Sequence, residues 1–240
     1  MRGGEREKMD VRPTNWHGDR MILADRVLFL DGEAIILDKP AGLPVDRPRD
    51  GTLSLENFLE SLTFGFKRWP AAVHRLDRDT SGCLLLARNP KALGKFGQAF
   101  EQRRVGKRYL AVVDGQPEGD EGTIDLPLFK VSSEANGWRM IVDARGKSAV
   151  THWKVLDRKG DRALVQFEPE TGRTHQIRAH AAYGLHCPVA GDPVYASHKP
   201  ATGEPMLLHS AWLRIERDGK PPVEATAPLP DSFAKAGFSI

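Results

Sequence analysis

The sequence predicts an α+β fold with a central mixed, largely antiparallel sheet and flanking helices. Three observations predict it. Short runs rich in β-formers dominate the chain and come in pairs joined by turn residues. Apolar residues at helical spacing occur in only a few separate segments. Strands and helices do not alternate as a parallel βαβ repeat requires. The 240 residues, 40% of them hydrophobic, suffice for one large domain or two small ones with a real core.

In chain order, residues 1–20 lack periodicity and are expected to form a polar, flexible tail, leaving 21–240 as the domain. Arg26 to Leu30 and Ala34 to Leu37 are strand-like, and Asp31-Gly32 between them signals a hairpin. Lys39-Pro40-Ala41-Gly42 ends the second strand in a fixed turn. Leu55, Phe58, Leu59 and Leu62 recur at helical spacing with Ser54 as a cap. Asn89-Pro90 starts a second helix, because Asn caps and Pro fits the first turn. Leu93, Phe96 and Phe100 are its inward stripe, and it ends near a basic group, Arg103, Arg104, Lys107 and Arg108. Tyr109 to Val113, Ser148 to Leu156 and Ala163 to Phe167 read as strands, the last two joined through Lys159-Gly160-Asp161. Residues 174–183 read as a short helix stopped by Gly184.

Composition excludes several classes. The chain contains no run of roughly 18 apolar residues that would span a membrane. The first twenty residues carry no apolar signal core, so export is not expected. Two cysteines, Cys83 and Cys187, make neither a disulfide framework nor a four-ligand zinc site, and they fit a reduced cytoplasm. They read as buried small hydrophobes. A net charge of +3 permits a polyanionic partner without demanding one. The chain has no nucleophile elbow, P-loop or dinucleotide fingerprint.

The densest chemistry lies in HRLDRDTSG, His74 to Gly82. Asp77 stands between Arg75 and Arg78, with Asp79 beside it and a strand-like run, Leu84 to Leu86, behind. One reading is a surface carboxylate paired with a neighbouring arginine. The other is a buried nucleophile, because Thr80-Ser81-Gly82 makes a close turn against apolar sequence. A second segment, TGRTHQIRAH from Thr171 to His180, supplies Arg173 and Arg178. Arg173 precedes a helix start, whose free N–H groups suit an anion; the plainer reading is a cap with Arg173 in solvent. His175 and His180 are five apart, not the four of a zinc helix, so no metal is expected. Tyr109 follows the basic group; it is either a half-buried packing residue or a ring beside positive charge that suits a nucleobase.

Six segments in order resemble the RluA-type pseudouridine synthases. They are LDKPAGLPV (Leu37 to Val45), HRLDRDTSG, GKRYLAVVDG (Gly106 to Gly115), TGRTHQIRAH with GDPVY (Gly191 to Tyr195), LLHSAWL (Leu207 to Leu213) and APLP (Ala227 to Pro230). The resemblance implies a pseudouridine synthase catalytic domain acting on structured ribosomal or transfer RNA. It implies that Asp77 is the catalytic aspartate, that Arg173 pairs with it, and that Tyr109 contacts the base and helps remove a proton. Arg75 would enter the RNA helix where the flipped uridine leaves. Arg103, Arg104, Lys107, Arg108 and Arg178 are assigned to RNA binding. The reaction has no redox or phosphate-transfer step, so no cofactor or metal is expected, and neither is an obligate protein partner; a monomer follows.

The sequence departs from the family in three places. Only about twenty residues precede the first strand, so an N-terminal S4-type domain is not expected. Ala181 to Pro188 is one residue longer than usual, with His186 where glycine is common. The segment after Arg214 is unusually charged. Two rival classes remain at this level: a non-catalytic RNA-binding or RNA-folding protein, which would tolerate loss of Asp77, and a metal-dependent hydrolase using the eight histidines.

Overall fold

A computed structural model describes residues 22–48, 50–133, 137–196, 198 and 200–239. The expected tail over 1–20 lies outside the described residues. Among those residues, strands β1 (Val27–Leu30), β2 (Ala34–Lys39), β3 (Ala71–Ala72), β4 (Ser81–Ala87), β5 (Val105–Asp114), β6 (Glu121–Asp125), β9 (Val150–Lys159), β10 (Arg162–Pro169), β11 (Leu208–Arg217) and β12 (Lys220–Thr226) form one ten-stranded sheet. Its order is β1-β2-β4-β11-β5-β10-β9-β6, with β3 also on β4 and β12 also on β11. Only β4 and β11 run parallel within it, so the sheet is mixed and largely antiparallel as expected. β7 (Leu128–Ser133) and β8 (Gly137–Val142) form a separate two-stranded ribbon. The helices are α1 (Pro90–Glu101), α2 (Gln176–Gly184) and α3 (Asp231–Lys235).

β2 and β4 are buried along their whole length, with apolar cores Ala34–Leu37 and Cys83–Ala87, because both faces of the sheet are covered there. On one face Ile35, Leu37, Leu84 and Leu86 pack on Leu55 and Leu62. On the other, Ala34, Ile36, Cys83 and Leu85 pack on Phe96 and Ala99 of α1. Each such Leu or Ile contributes about 1.5–3 kcal/mol of burial. The stretch Leu55–Leu62 is helical, but as a 3-10 helix.

α1 starts where Asn89 Oδ1 accepts the Ala92 N–H at 2.9 Å, with Pro90 in the first turn. It stops with Arg103 in the left-handed region (φ 57) and the Arg104 N–H on the Ala99 carbonyl. β5 therefore begins at Val105, four residues before the expected strand start at Tyr109. Lys107 and Arg108 lie inside a strand and not at a helix end.

α2 begins at Gln176, two residues later than expected, because His175 takes a left-handed φ of 51. His186 also takes a left-handed φ of 54, the conformation that a glycine would hold without strain. Most of the charges from Arg214 to Glu224 are matched within the protein. Arg217, nearly inaccessible, reaches Asp31 and Glu33, and Arg214 reaches Glu216 and Glu224. Among the described residues no helix is long and apolar enough to cross a membrane.

Candidate active site

Asp77 sits on a tight turn at the start of β4, closed by the Thr80 N–H on the Asp77 carbonyl at 3.1 Å. Gly82 fixes the depth of this turn. Its φ is +100, and a side chain there would overlap the Ser210 carbonyl of β11. The fully buried Lys39 fastens the turn from behind. Its Nζ donates to the carbonyls of Pro40 and Leu43, both at 2.9 Å, and of Arg78 at 3.0 Å. Burial pushes the Lys39 ammonium down to about 7, against the raising effect of Asp79, Asp77 and Asp38. Three carbonyl acceptors match three ammonium protons, which favours the charged form at neutral pH.

The opposite wall is α2. Gln176 locks its entry: Oε1 accepts from Thr171 Oγ1 and the Arg173 N–H, and Nε2 donates to the Val150 carbonyl and Thr151 Oγ1. The left-handed His175 then turns the chain so that Arg178, within α2, points at Asp77. Arg178 Nη1 lies 2.9 Å from Asp77 Oδ2. Its Nε and Nη2 form a bidentate pair with Asp192, at 2.7 and 2.8 Å. The Asp192 side chain is 0% exposed and that of Arg178 6%. Burial disfavours the Arg178 cation, but the two carboxylates outweigh it and hold the guanidinium more firmly protonated than usual. Asp192 also accepts the N–H groups of Val194 and Tyr195, and Gly191 before it has φ +73 with no room for a side chain against the Pro205 carbonyl.

This arrangement corrects two expectations. Asp77 pairs with Arg178 and not with Arg173, whose Nε instead donates to the Ser148 carbonyl at 3.0 Å. Arg178 is therefore not free for RNA. The bidentate arginine–carboxylate contact belongs to Asp192; among the described residues the Asp77 carboxylate receives one hydrogen bond. Asp77 is also half-buried, with 27% of its side chain exposed, and so open to a ligand.

Tyr109 lies on β5 beside this turn. Burial first, and the Asp77 charge in lesser measure, push its phenol up to about 12, so it is neutral at pH 7. His175 Nε2 is 3.8 Å from Asp77 Oδ2, its Nδ1 meets the Tyr195 hydroxyl at 3.1 Å, and its ring lies tilted by 33° against Trp138 of β8, centroids 4.6 Å apart. Burial lowers its pKa, so the ring is neutral at pH 7.

The proposed RNA-contact residues do not form one cluster. Lys107 and Arg108 are adjacent in a strand and point to opposite faces. Arg108 pairs with Glu168 and lies over the Trp212 ring, and Arg104 is bound to Gln102. Arg103 is exposed in the turn after α1. Lys107, on the same face of β5 as Tyr109, donates from its Nζ to the Thr171 carbonyl at 3.3 Å. Burial pushes it down to about 8. Arg75 is 65% exposed and pairs with Asp46 at the rim.

Sequence reasoning gave no role to Asp192, Lys39 or His175. All three lie within quoted motifs, and a carboxylate in GDPVY was the available signal for Asp192.

The family model described as RNA pseudouridylate synthase matches residues 33–183. The chain is 60% identical to an RNA pseudouridine synthase of Zymomonas mobilis, over 90% of this chain and 99% of that one. It is 34% identical to the ribosomal large subunit pseudouridine synthase C of Salmonella typhi, over 91% of this chain and 70% of that one. The structure of human RNA pseudouridylate synthase domain containing 4 is similar at a TM-score of 0.75 and 25% identity, covering 91% of this chain and 95% of that one.

Proposed function

Because the chain belongs to the RNA pseudouridylate synthase family, we propose that it isomerises a uridine in structured ribosomal or transfer RNA, with Asp77 as the nucleophile. The observation that carries this reading is the half-open Asp77 carboxylate, held among the described residues by one hydrogen bond from Arg178. One oxygen is engaged and the other is left for substrate. The kinship with a ribosomal large subunit enzyme supports ribosomal RNA as the first substrate to test.

The isomerisation breaks the N1–C1′ bond and forms a C5–C1′ bond, with loss of the C5 proton and gain of a proton at N1. The target base must first leave the RNA stack. Arg75, exposed at the rim, gives up a surface pair with Asp46 worth at most about 1 kcal/mol and stacks in the vacated space. A carboxylate is a competent nucleophile toward C1′ or C6, and it equally promotes a glycal route. The buried Asp192–Arg178 pair keeps Asp77 aimed as the bond breaks. The neutral Tyr109 phenol donates a hydrogen bond to the base, and an ordered water beside it takes the C5 proton. This geometry favours catalysis over a purely RNA-binding role, since a binder of polyanions gains nothing from an oriented carboxylate. Cys83 and Cys187, both free thiols, fit a cytoplasmic reaction.

Mapping pseudouridine in ribosomal and transfer RNA from cells with and without the gene tests the proposal. Loss of modification at one or a few uridines is expected. An unchanged complement in both RNA classes would overturn it.

A further inference from the structure

Between the 3-10 helix Leu55–Leu62 and β3 runs the segment Phe64–Trp69, FGFKRW, in which every residue is exposed. Phe64, Phe66 and Trp69 are 39%, 38% and 59% exposed. The Phe66 N–H closes a turn on the Thr63 carbonyl at 3.1 Å, with Phe64 at φ 44 and Gly65 at φ 84. Asn or Gly would sit in that first position without strain; a phenylalanine does not. Arg88 holds the turn rigid from below, donating to the carbonyls of Thr63 at 3.0 Å and Phe64 at 2.9 Å. Its guanidinium also lies 3.8 Å from the Phe66 ring, which accounts for Phe66. Phe64 and Trp69 make no such contact among the described residues, yet one is strained and both face solvent.

We propose that Phe64–Trp69 is a second RNA-contact surface, which binds single-stranded RNA flanking the modified uridine. Lys67 and Arg68 lie between the rings. Rings that stack any base, interleaved with cations that meet phosphates, match the alternation of a nucleic acid strand. An apolar protein partner would instead be met by a continuous apolar patch. The surface is separate from the active site. Ala71, two residues past Trp69, pairs with Ala87, whereas Asp77 stands at the Ser81 end of β4. The six residue steps from Ser81 to Ala87, at about 3.3 Å each, put the two ends on the order of 20 Å apart, a span that several nucleotides bridge. The inference rests on the RNA substrate proposed above.

The test is fluorescence anisotropy of a labelled, mixed-sequence, 20-nucleotide single-stranded RNA, read beside pseudouridine formation on transcribed ribosomal RNA. Trp69→Ala should weaken binding about tenfold, and Trp69→Phe should restore most of it. Lys67→Gln with Arg68→Gln should lower the slope of log affinity against log salt by about 1.4. Thermal melts of these loop variants should match wild type, and 4-thiouridine RNA should crosslink to a peptide containing Trp69. Wild-type affinity and salt slope in all three variants, or crosslinks confined to other peptides, would overturn the proposal even where pseudouridine forms. Weakened binding in an enzyme that forms no pseudouridine would leave this surface standing and refute the catalytic reading instead.

Discussion

Asp192, wholly buried, grips Arg178 through two parallel hydrogen bonds of 2.7 and 2.8 Å and leaves the remaining nitrogen pointing at Asp77. Arg178 is thus a rigid link between a hidden carboxylate and an accessible one. Its geometry is set by the interior of the protein before any RNA arrives.

The first prediction follows from that burial. Arg178→Met strands the Asp192 charge and should cost about 3–5 kcal/mol of stability in urea denaturation. Arg173→Met removes a partly solvated contact to Ser148 and should cost less than about 1 kcal/mol. Replacing both Arg178 and Asp192 with Met should recover part of the first loss. Equal losses for the two single variants would show that Arg178 is not the buried partner.

The second concerns Lys39. Its ammonium joins the Pro40–Leu43 turn to the Asp77 loop through three carbonyls. Lys39→Met should cost on the order of 3 kcal/mol, because those carbonyls lose a charged donor. Amide exchange in residues 76–80 should rise more than in α1. Uniform exchange changes across the chain would argue against a local tie.

Much of this was legible in the sequence, and the part that was not has a physical cause. The β1–β2 and β9–β10 hairpins, the Asn89 cap and the Asp77 motif are local patterns, and local patterns survive into the fold. The choice between Arg173 and Arg178 is not local. It depends on the left-handed His175, which periodicity cannot register, and on Asp192, fourteen residues beyond Arg178. β6, β7, β8, β11 and β12 went unrecognised as strands: β6 is short and polar, β7 and β8 pair only with each other, and β11 and β12 mix charged and apolar residues without a clean alternation. The basic group looked like one patch because charge was counted along the sequence; strand pleating sends Lys107 and Arg108 to opposite faces.

The third prediction is a pH dependence. Lys107, pushed down to about 8 by burial, donates to the Thr171 carbonyl and lies close enough to His74 to disfavour its protonation. Below pH 8 it is a cation that attracts phosphate; above pH 8 it is neutral. RNA affinity should therefore fall as pH rises from 7 to 9. Lys107→Arg should flatten the profile, because arginine stays charged throughout. Tyr109, at about 12, contributes no change in this window. An identical fall in Lys107→Arg would assign the titration elsewhere.

The most direct test of the account is single-turnover pseudouridine formation by purified Asp77→Asn. The substitution keeps the shape of the side chain and removes its charge. Turnover should drop by at least about a thousandfold, while RNA affinity and melting temperature stay near wild type, since a carboxylate adds little to polyanion binding. Pseudouridine formed at the wild-type rate by Asp77→Asn would contradict the assignment of Asp77 as the nucleophile.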